Sequence, residues 1–227
     1  MTSDAKDPIS ADFLRVRRLP AKQVADRAAA YSILDAGLVA HVGVRDGEIP
    51  IVVPVGYARA GDDLIVHGSS GSRLFRILAS GEPACITVTH LDGLVAARSM
   101  FESSMHYRSV MVFGSGERLE GADELAALEA FSNHVMPGRW GQARIPTKKE
   151  LAATSTIRFP LTHLSVKVSA AMPEDDPADL NNPELMKLWA GILPITTVPG
   201  VPVPDAHTPA HTPVPEYVST WVFTNGQ

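Results

Sequence analysis

Residues 38–79 read LVAHVGVRDGEIPIVVPVGYARAGDDLIVHGSSGSRLFRILA, and this stretch decides the fold. Leu38 to Val44 and Ile51 to Tyr57 are apolar, β-branched runs, and Asp46-Gly47 between them is a strong hairpin signal. Ala60-Gly61-Asp62-Asp63 turns the chain into a third short run, Leu64-Ile65-Val66-His67. Strands this short and this close form an antiparallel meander. Gly68 to Ser72 is a small polar loop, which opens a helix over Arg73 to Ala79 that stops before Gly81 and Pro83.

Upstream, Val24, Ala28, Tyr31, Ile33 and Leu34 recur near helical spacing over Lys22 to Asp35, with Gly37 as the stop. Phe13 to Arg18 is short, basic and amphipathic, and Pro20 breaks it. Downstream, strands are expected over Ala84–His90, with Leu94–Ala97 as a continuation, and over Tyr107–Gly114, Ile157–Phe159 and Leu164–Val168. Asp123 to Val135 is an amphipathic helix with Leu125, Leu128 and Phe131 on one face. Short helices are expected at Leu151–Thr156 and Leu185–Ala190. These elements do not alternate as βαβ units. The economical arrangement is mainly β, a small barrel with flanking helices, because closure removes sheet edges. The reading divides the chain into a disordered tail (1–12), a barrel domain (13–193) and a Pro-rich arm (194–227). The prolines of the arm exclude regular helix or central strand. Its aromatics Tyr217, Trp221 and Phe223 suggest docking, on this chain or across a dimer.

Composition narrows the function. The 227 residues can bury a core without staples. A net charge of −5 argues against a nucleic-acid partner, which needs a basic face. The lone cysteine, Cys85, sits in an apolar run and reads as a buried hydrophobe. The polar N-terminus has no secretory signal, and no run reaches the roughly 18 apolar residues of a membrane span, so a soluble, cytoplasmic protein is expected. No helical His-x-x-x-His pair or cysteine cluster suggests a metal site, and no Gly-x-Ser-x-Gly elbow suggests a hydrolase.

Two features point to anion binding. The first is the junction from His67 through Ser69, Ser72 and Arg73: a strand feeds a Gly/Ser loop and a helix begins at once. Unpaired N–H groups at a helix start attract anions, and Arg73 adds a fork suited to phosphate. The competing reading is that Ser70 or Ser72 caps the helix. Neither a Walker ending nor a dinucleotide fingerprint is present. The second is Arg108, which alternation places with Val110 and Val112 on one face of a strand. A core-facing arginine needs a phosphate or carboxylate; an edge arginine facing solvent needs neither.

The run ILDAGLVAHVGV…GEIPIVVPVGYARAGDDLIVHGSSGSRLFRILASGEPACITVTHLDGLVAARSMFESSMHYRSVMVFG resembles the pyridoxamine-5′-phosphate-oxidase-like flavin-binding family, in the branch near the nitroimidazole-resistance proteins. The segments MPGRW, PTKKELAAT, LSVKV and LWAGILP are similar to the same branch. The resemblance implies an FMN-binding split β-barrel that forms a homodimer with FMN at the interface. Val53, Pro54 and Val55 would offer backbone to the ring. His67, Ser69, Ser72 and Arg73 would surround the phosphate and ribityl chain, and Arg108 and Ser109 would complete that wall. Lys167 and Trp189 would come from the second subunit. It also implies an oxidoreductase passing hydride or electrons from NAD(P)H to a small-molecule acceptor.

The chain departs from the branch in places. Where relatives often read Phe-His-His-Ser-Met-Asn-Tyr-Arg-Ser-Val, it has Phe101-Glu102-Ser103-Ser104-Met105-His106-Tyr107-Arg108-Ser109-Val110, and Ser169 stands where they often have arginine. The tail from Pro194 has no arginine or lysine, which argues against the phosphate pocket of a true pyridoxamine-phosphate oxidase. Alternatives on the same fold are a non-enzymatic flavin-binding redox sensor, a haem binder with His67 or His106 as axial ligand, and a deazaflavin binder.

Overall fold

The computed structural model describes residues 11–222. The expected tail, up to residue 10, and Phe223 lie outside the described residues. The chain opens with a short helix α1 (Ala11–Leu14) and a 3-10 turn at Pro20–Lys22. Helix α2 (Arg27–Ala36) starts after Asp26, whose carboxylate accepts from Ala28 N at 3.0 Å, and Gly37 ends it. The helix begins later than periodicity suggested because Asp26 is the first good cap and Pro20 forces the tighter turn upstream.

The meander follows as β1 (Val39–Asp46), β2 (Ile49–Ala60) and β3 (Asp63–Ser69), then helix α3 (Arg73–Ala79). Next come β4 (Pro83–Ala96), β5 (Ser104–Ser115), β6 (Glu117–Leu119) and helix α4 (Gly121–Val135). Helix α5 (Lys148–Ala152), β7 (Thr154–Pro160), β8 (His163–Ser169), α6 (Pro177–Leu180), β9 (Gly191–Pro194) and α7 (Glu216–Ser219) complete the described chain.

The strands pair antiparallel in the order β6-β7-β3-β2-β1-β4-β5-β8, and β9 pairs with β4. This is the expected split β-barrel, a curled half-barrel sheet with a few helices. Strand β2 is the corner: residues 49–56 pair with β1, and residues 57–60 pair with β3. Strand β4 runs on past His90 through a bulge between Leu91 and Gly93. Gly93 is needed there because a Cβ would lie 3.0 Å from the backbone oxygen of Leu193 on β9.

Alternation puts one row of each strand inside. Ala40, Val42 and Val44 of β1 meet Leu64 and Val66 of β3, Ile86 and Val88 of β4, and Val110 and Val112 of β5. Ile33 and Leu34 of α2 and Leu74, Phe75 and Leu78 of α3 pack into the same core. Each such side chain contributes about 1.5–3 kcal/mol when fully buried. Tyr57 is fully buried, and its hydroxyl donates to Leu34 O at 2.6 Å. Burial raises the pKa of that hydroxyl beyond the ordinary tyrosine range, so it stays a donor.

Helix α4 covers the outer face of β2 and β3. Among the described residues, only the one-turn α1 reaches the outer face around β1, β4, β5 and β8, where Phe13 meets Phe113 edge-on with ring centroids 5.1 Å apart. Val39 and Val52 are 51% and 66% exposed, and Cys85, Thr87, Ser109, Met111 and Lys167 are half-buried. The arm returns to the body at its far end, where Tyr217 and Trp221 are half-buried and Trp221 Nε1 donates to Val135 O at 2.8 Å. The arm was expected to hold no regular helix; α7 is one turn that begins directly after Pro215, where the proline run has ended.

Candidate functional site

The strand-to-helix junction lies where the sequence placed it. Strand β3 ends at Ser69 and α3 begins at Arg73. Gly68 is fixed by packing: a Cβ there would come within 2.2 Å of the Phe75 ring. Ser70 is not a cap, since both its N–H and its hydroxyl donate to Ala153 O, tying the loop to the end of α5. Ser72 sits at the N-cap of α3 but makes no side-chain cap bond. Ser69 Oγ accepts from Gly71 N at 3.3 Å. The helix-cap alternative therefore does not account for these serines. Arg73 is 61% exposed and lies 3.2 Å from Asp46 at the tip of the β1–β2 hairpin.

His67 faces outward from β3, under α4. The Tyr57–Val66 pair sets it beside Gly56, and Phe131 of α4 lies over both. A Cβ on Gly56 would be 3.0 Å from the Phe131 ring, and His67 meets that ring edge-on with centroids 4.3 Å apart. The His67 Nδ1 is buried without a hydrogen-bond partner, and burial pushes the imidazole pKa down, so the ring is neutral at neutral pH.

Two adjoining cavities of about 450 and 650 Å³ open on His67. Leu128, Phe131, Val135, Met136, Trp140 and Pro146 give them apolar walls, and Arg139 and Arg144 stand at both. Arg144 is oriented by Glu150, which it grips with both terminal nitrogens at 2.8 and 2.5 Å. Glu150 is itself part of a capping box with Thr147, and the Arg144 fork holds its carboxyl well below the usual range. An apolar cavity of this size, with a neutral imidazole, the Arg139 guanidinium and an Arg144 already paired with Glu150, suits a large, mainly apolar ligand with an anionic edge.

The other expected residues are scattered over the sheet. Val53 and Val55 turn inward onto the core, while Pro54 between them is exposed on the outer row with Val52. Arg108 spends its fork on Asp92. Ser109 pairs with Lys167 across β5 and β8, and the Lys167 ammonium lies 5.6 Å from the Tyr107 ring centre. Strand β8 stands four strand spacings from β2, roughly 19 Å along the sheet. Trp189 is 69% exposed, with its ring against Gly191. Lys167 and Trp189 thus do not meet the His67 group within one chain. His106 Nε2 donates to Ala171 O at 2.8 Å, at a half-buried position.

The profile of the pyridoxamine 5′-phosphate oxidase family matches residues 26–168. The chain belongs to that family. Two solved structures share much of it. The FAD and heme binding protein from Mycobacterium smegmatis is 38% identical, with 87% of this chain and 96% of that one covered and a TM-score of 0.83. The flavocytochrome Anf3 from Azotobacter vinelandii is 35% identical, with 92% and 96% covered and a TM-score of 0.86. A candidate 5-nitroimidazole antibiotic resistance protein from Bacteroides thetaiotaomicron is 21% identical over 64% of this chain and 86% of that one, with a TM-score of 0.55, and shares the fold alone. No protein with a curated description matches.

For a member of the pyridoxamine 5′-phosphate oxidase family, the residues that sequence reasoning missed are Phe131, Arg139, Trp140 and Arg144. Of the stretch MPGRWGQARIP only MPGRW stood out, as a mark of kinship and not as a wall. The local signal of the whole stretch is two arginines and a tryptophan in a Gly/Pro-rich setting after an amphipathic helix. Among the described residues, no helix is long and apolar enough to cross a membrane.

Proposed function

We propose that this protein is a flavin-dependent oxidoreductase, working as a homodimer, that passes hydride or electrons from a nicotinamide donor to a small acceptor. The observation that carries this reading is the sheet face around β1, β4, β5 and β8, which is left largely open beyond the Phe13–Phe113 contact. It is weakly charged and half-buried to exposed, with Lys167 on it. A largely open face of this kind fits a second copy, and a two-fold contact makes two equal sites from one patch. It would bring the partner subunit's Lys167 and the partner subunit's Trp189 toward a β2 that their own chain cannot reach. The flavin ring would lie along the outer row of β2, against the backbone of Val53, Pro54 and Val55. Ser69, Ser72 and Arg73 would take the phosphate end, whereas His67 turns under α4 against Phe131. Bound flavin supplies the redox chemistry, and these groups bind and orient it. The expected flavin was FMN; the name of the Mycobacterium smegmatis relative favours FAD.

A second cofactor is favoured by the His67 cavity. The donor set fits a haem: His67 would offer a neutral imidazole to the iron, the apolar walls would hold the macrocycle, and Arg139, beside the Arg144–Glu150 pair, would face a carboxylate. The names of both similar structures, a FAD and heme binding protein and a flavocytochrome, support this reading. Ser69, Ser72 and Arg73 remain available to the flavin.

The absorption spectrum of the purified protein tests both. Flavin bands with a Soret band are expected, and chromatography of released cofactor distinguishes FMN from FAD. His67→Ala is expected to lose the Soret band and keep the flavin. A colourless protein that takes up neither cofactor when reconstituted would overturn the reading. A monomer by light scattering at micromolar concentration would remove the shared site.

A further inference from the structure

The segment that walls the His67 cavity has little to hold it in place by itself. After α4 ends, residues 136–143 are joined by short turns, with Arg139 N bonding to Met136 O and both Gln142 N and Ala143 N to Arg139 O. Arg139 is exposed, and a long side chain at such a position loses rotamer freedom when a ligand fixes it. Besides His134 on the last turn of α4, which donates to Gly37 O at 2.7 Å, support comes from α7, far along the chain. Trp221 Nε1 donates to Val135 O at 2.8 Å, at the last residue of α4. Arg139 donates to the Tyr217 hydroxyl at 3.2 Å. The Tyr217 side chain also packs in van der Waals contact beside Gly138, whose φ of +92° would strain the wall's backbone in any larger residue.

We propose that α7 is a latch on this wall: Tyr217 and Trp221 hold the end of α4 and pre-set Arg139, and so set how tightly the cavity takes a planar anionic ligand. The second half of the statement rests on the haem reading of the cavity; the first half does not. Tyr217 and Trp221 are positioning residues, since neither is placed against the ligand. A guanidinium already held by Tyr217 loses less freedom on pairing with a ligand carboxylate, which raises affinity without a new contact. The prolines upstream help the latch find its seat, because they narrow the conformations open to an undocked arm.

The test uses the full-length protein as wild type, Tyr217→Phe, Trp221→Phe and a control, Val201→Ala, in the exposed arm. Two measurements are made: amide hydrogen exchange of peptides covering 136–146, and hemin titration followed at the Soret band. Each latch variant removes one hydrogen bond, so exchange is expected to quicken about fivefold for Trp221→Phe, and hemin affinity to fall about fivefold for Tyr217→Phe. The control should change neither, and far-ultraviolet dichroism should match wild type throughout. Unchanged exchange in both latch variants overturns the proposal. Faster exchange with unchanged hemin affinity overturns the link between latch and ligand. If wild type takes up no hemin, the haem reading falls, and the exchange result alone decides whether α7 holds the wall.

Discussion

Arg108 and Asp92 form a two-pronged ion pair at the β4 bulge, with Nε 2.8 Å and the far terminal nitrogen 2.9 Å from separate carboxylate oxygens. The Arg108 and Asp92 side chains are 20% and 33% exposed. Of the two partners the sequence left open for a core-facing arginine, the protein supplies a carboxylate. Arg108→Ala is therefore expected to cost about 1–2 kcal/mol. That corresponds to roughly 2–8 °C in Tm for a chain of this size. Flavin content should be retained. Loss of flavin at unchanged Tm would instead put the cofactor phosphate on Arg108.

Arg73 tests the phosphate end of the proposed flavin site. Its pair with Asp46 is exposed and adds little to stability. Arg73→Ala should leave Tm within about 1 °C and weaken flavin binding about tenfold or more. Asp46→Asn should act oppositely, since it removes the carboxylate that a phosphate must displace. Equal flavin affinity in wild type and both variants, by fluorescence titration, would move the phosphate elsewhere.

Gly37 and Tyr57 should be energetically coupled. A Cβ on Gly37 would lie 2.3 Å from the Tyr57 hydroxyl, which donates to Leu34 O. Gly37→Ala should cost about 2 kcal/mol or more by overpacking, and Tyr57→Phe about 1 kcal/mol. The double variant should be more stable than the sum of the two losses, because the phenylalanine removes the clashing atom. Additive losses in urea denaturation would show that the backbone, and not the hydroxyl, sets the strain.

The pH dependence of stability should carry a signature of His67. Its folded pKa lies below the ordinary imidazole value of about 6.5 through burial. The unfolded state then binds the proton more readily, so the contribution is intact above about 6.5 and is lost as pH falls below it. Cofactor-free wild type should lose Tm between pH 7 and pH 5 more steeply than His67→Phe. Identical slopes would mean that the imidazole is solvated in the apo protein.

The meander and the His67-to-Arg73 junction were legible because their signals are local. Asp46-Gly47 and Gly61 mark turns, and the Gly/Ser loop stands between a β-branched run and a helix. What was not legible depended on distant partners. Whether Arg108 met a phosphate, a carboxylate or solvent was decided by a bulge at residues 91–93, which β9 pins from a hundred residues away. Strand β6 is only Glu117–Leu119, too short for alternation to show. The cavity was hidden for the same reason: His67 is buried by Phe131, and its neighbours Arg139 and Arg144 lie in a segment with no periodicity of its own.

The arm between β9 and α7 is held at both ends, by the β4 ladder and the Ile195–Asp92 backbone bond on one side and by Trp221 on the other. Val198, Val201 and Val203 between them are 75–88% exposed. For such a span the entropy of closing the loop rises by only about 0.6 kcal/mol per doubling of length. Its length is thus nearly free to drift while its two ends are not, and a peptide tag spliced in at Gly200 should ride on the protein with both anchors still seated.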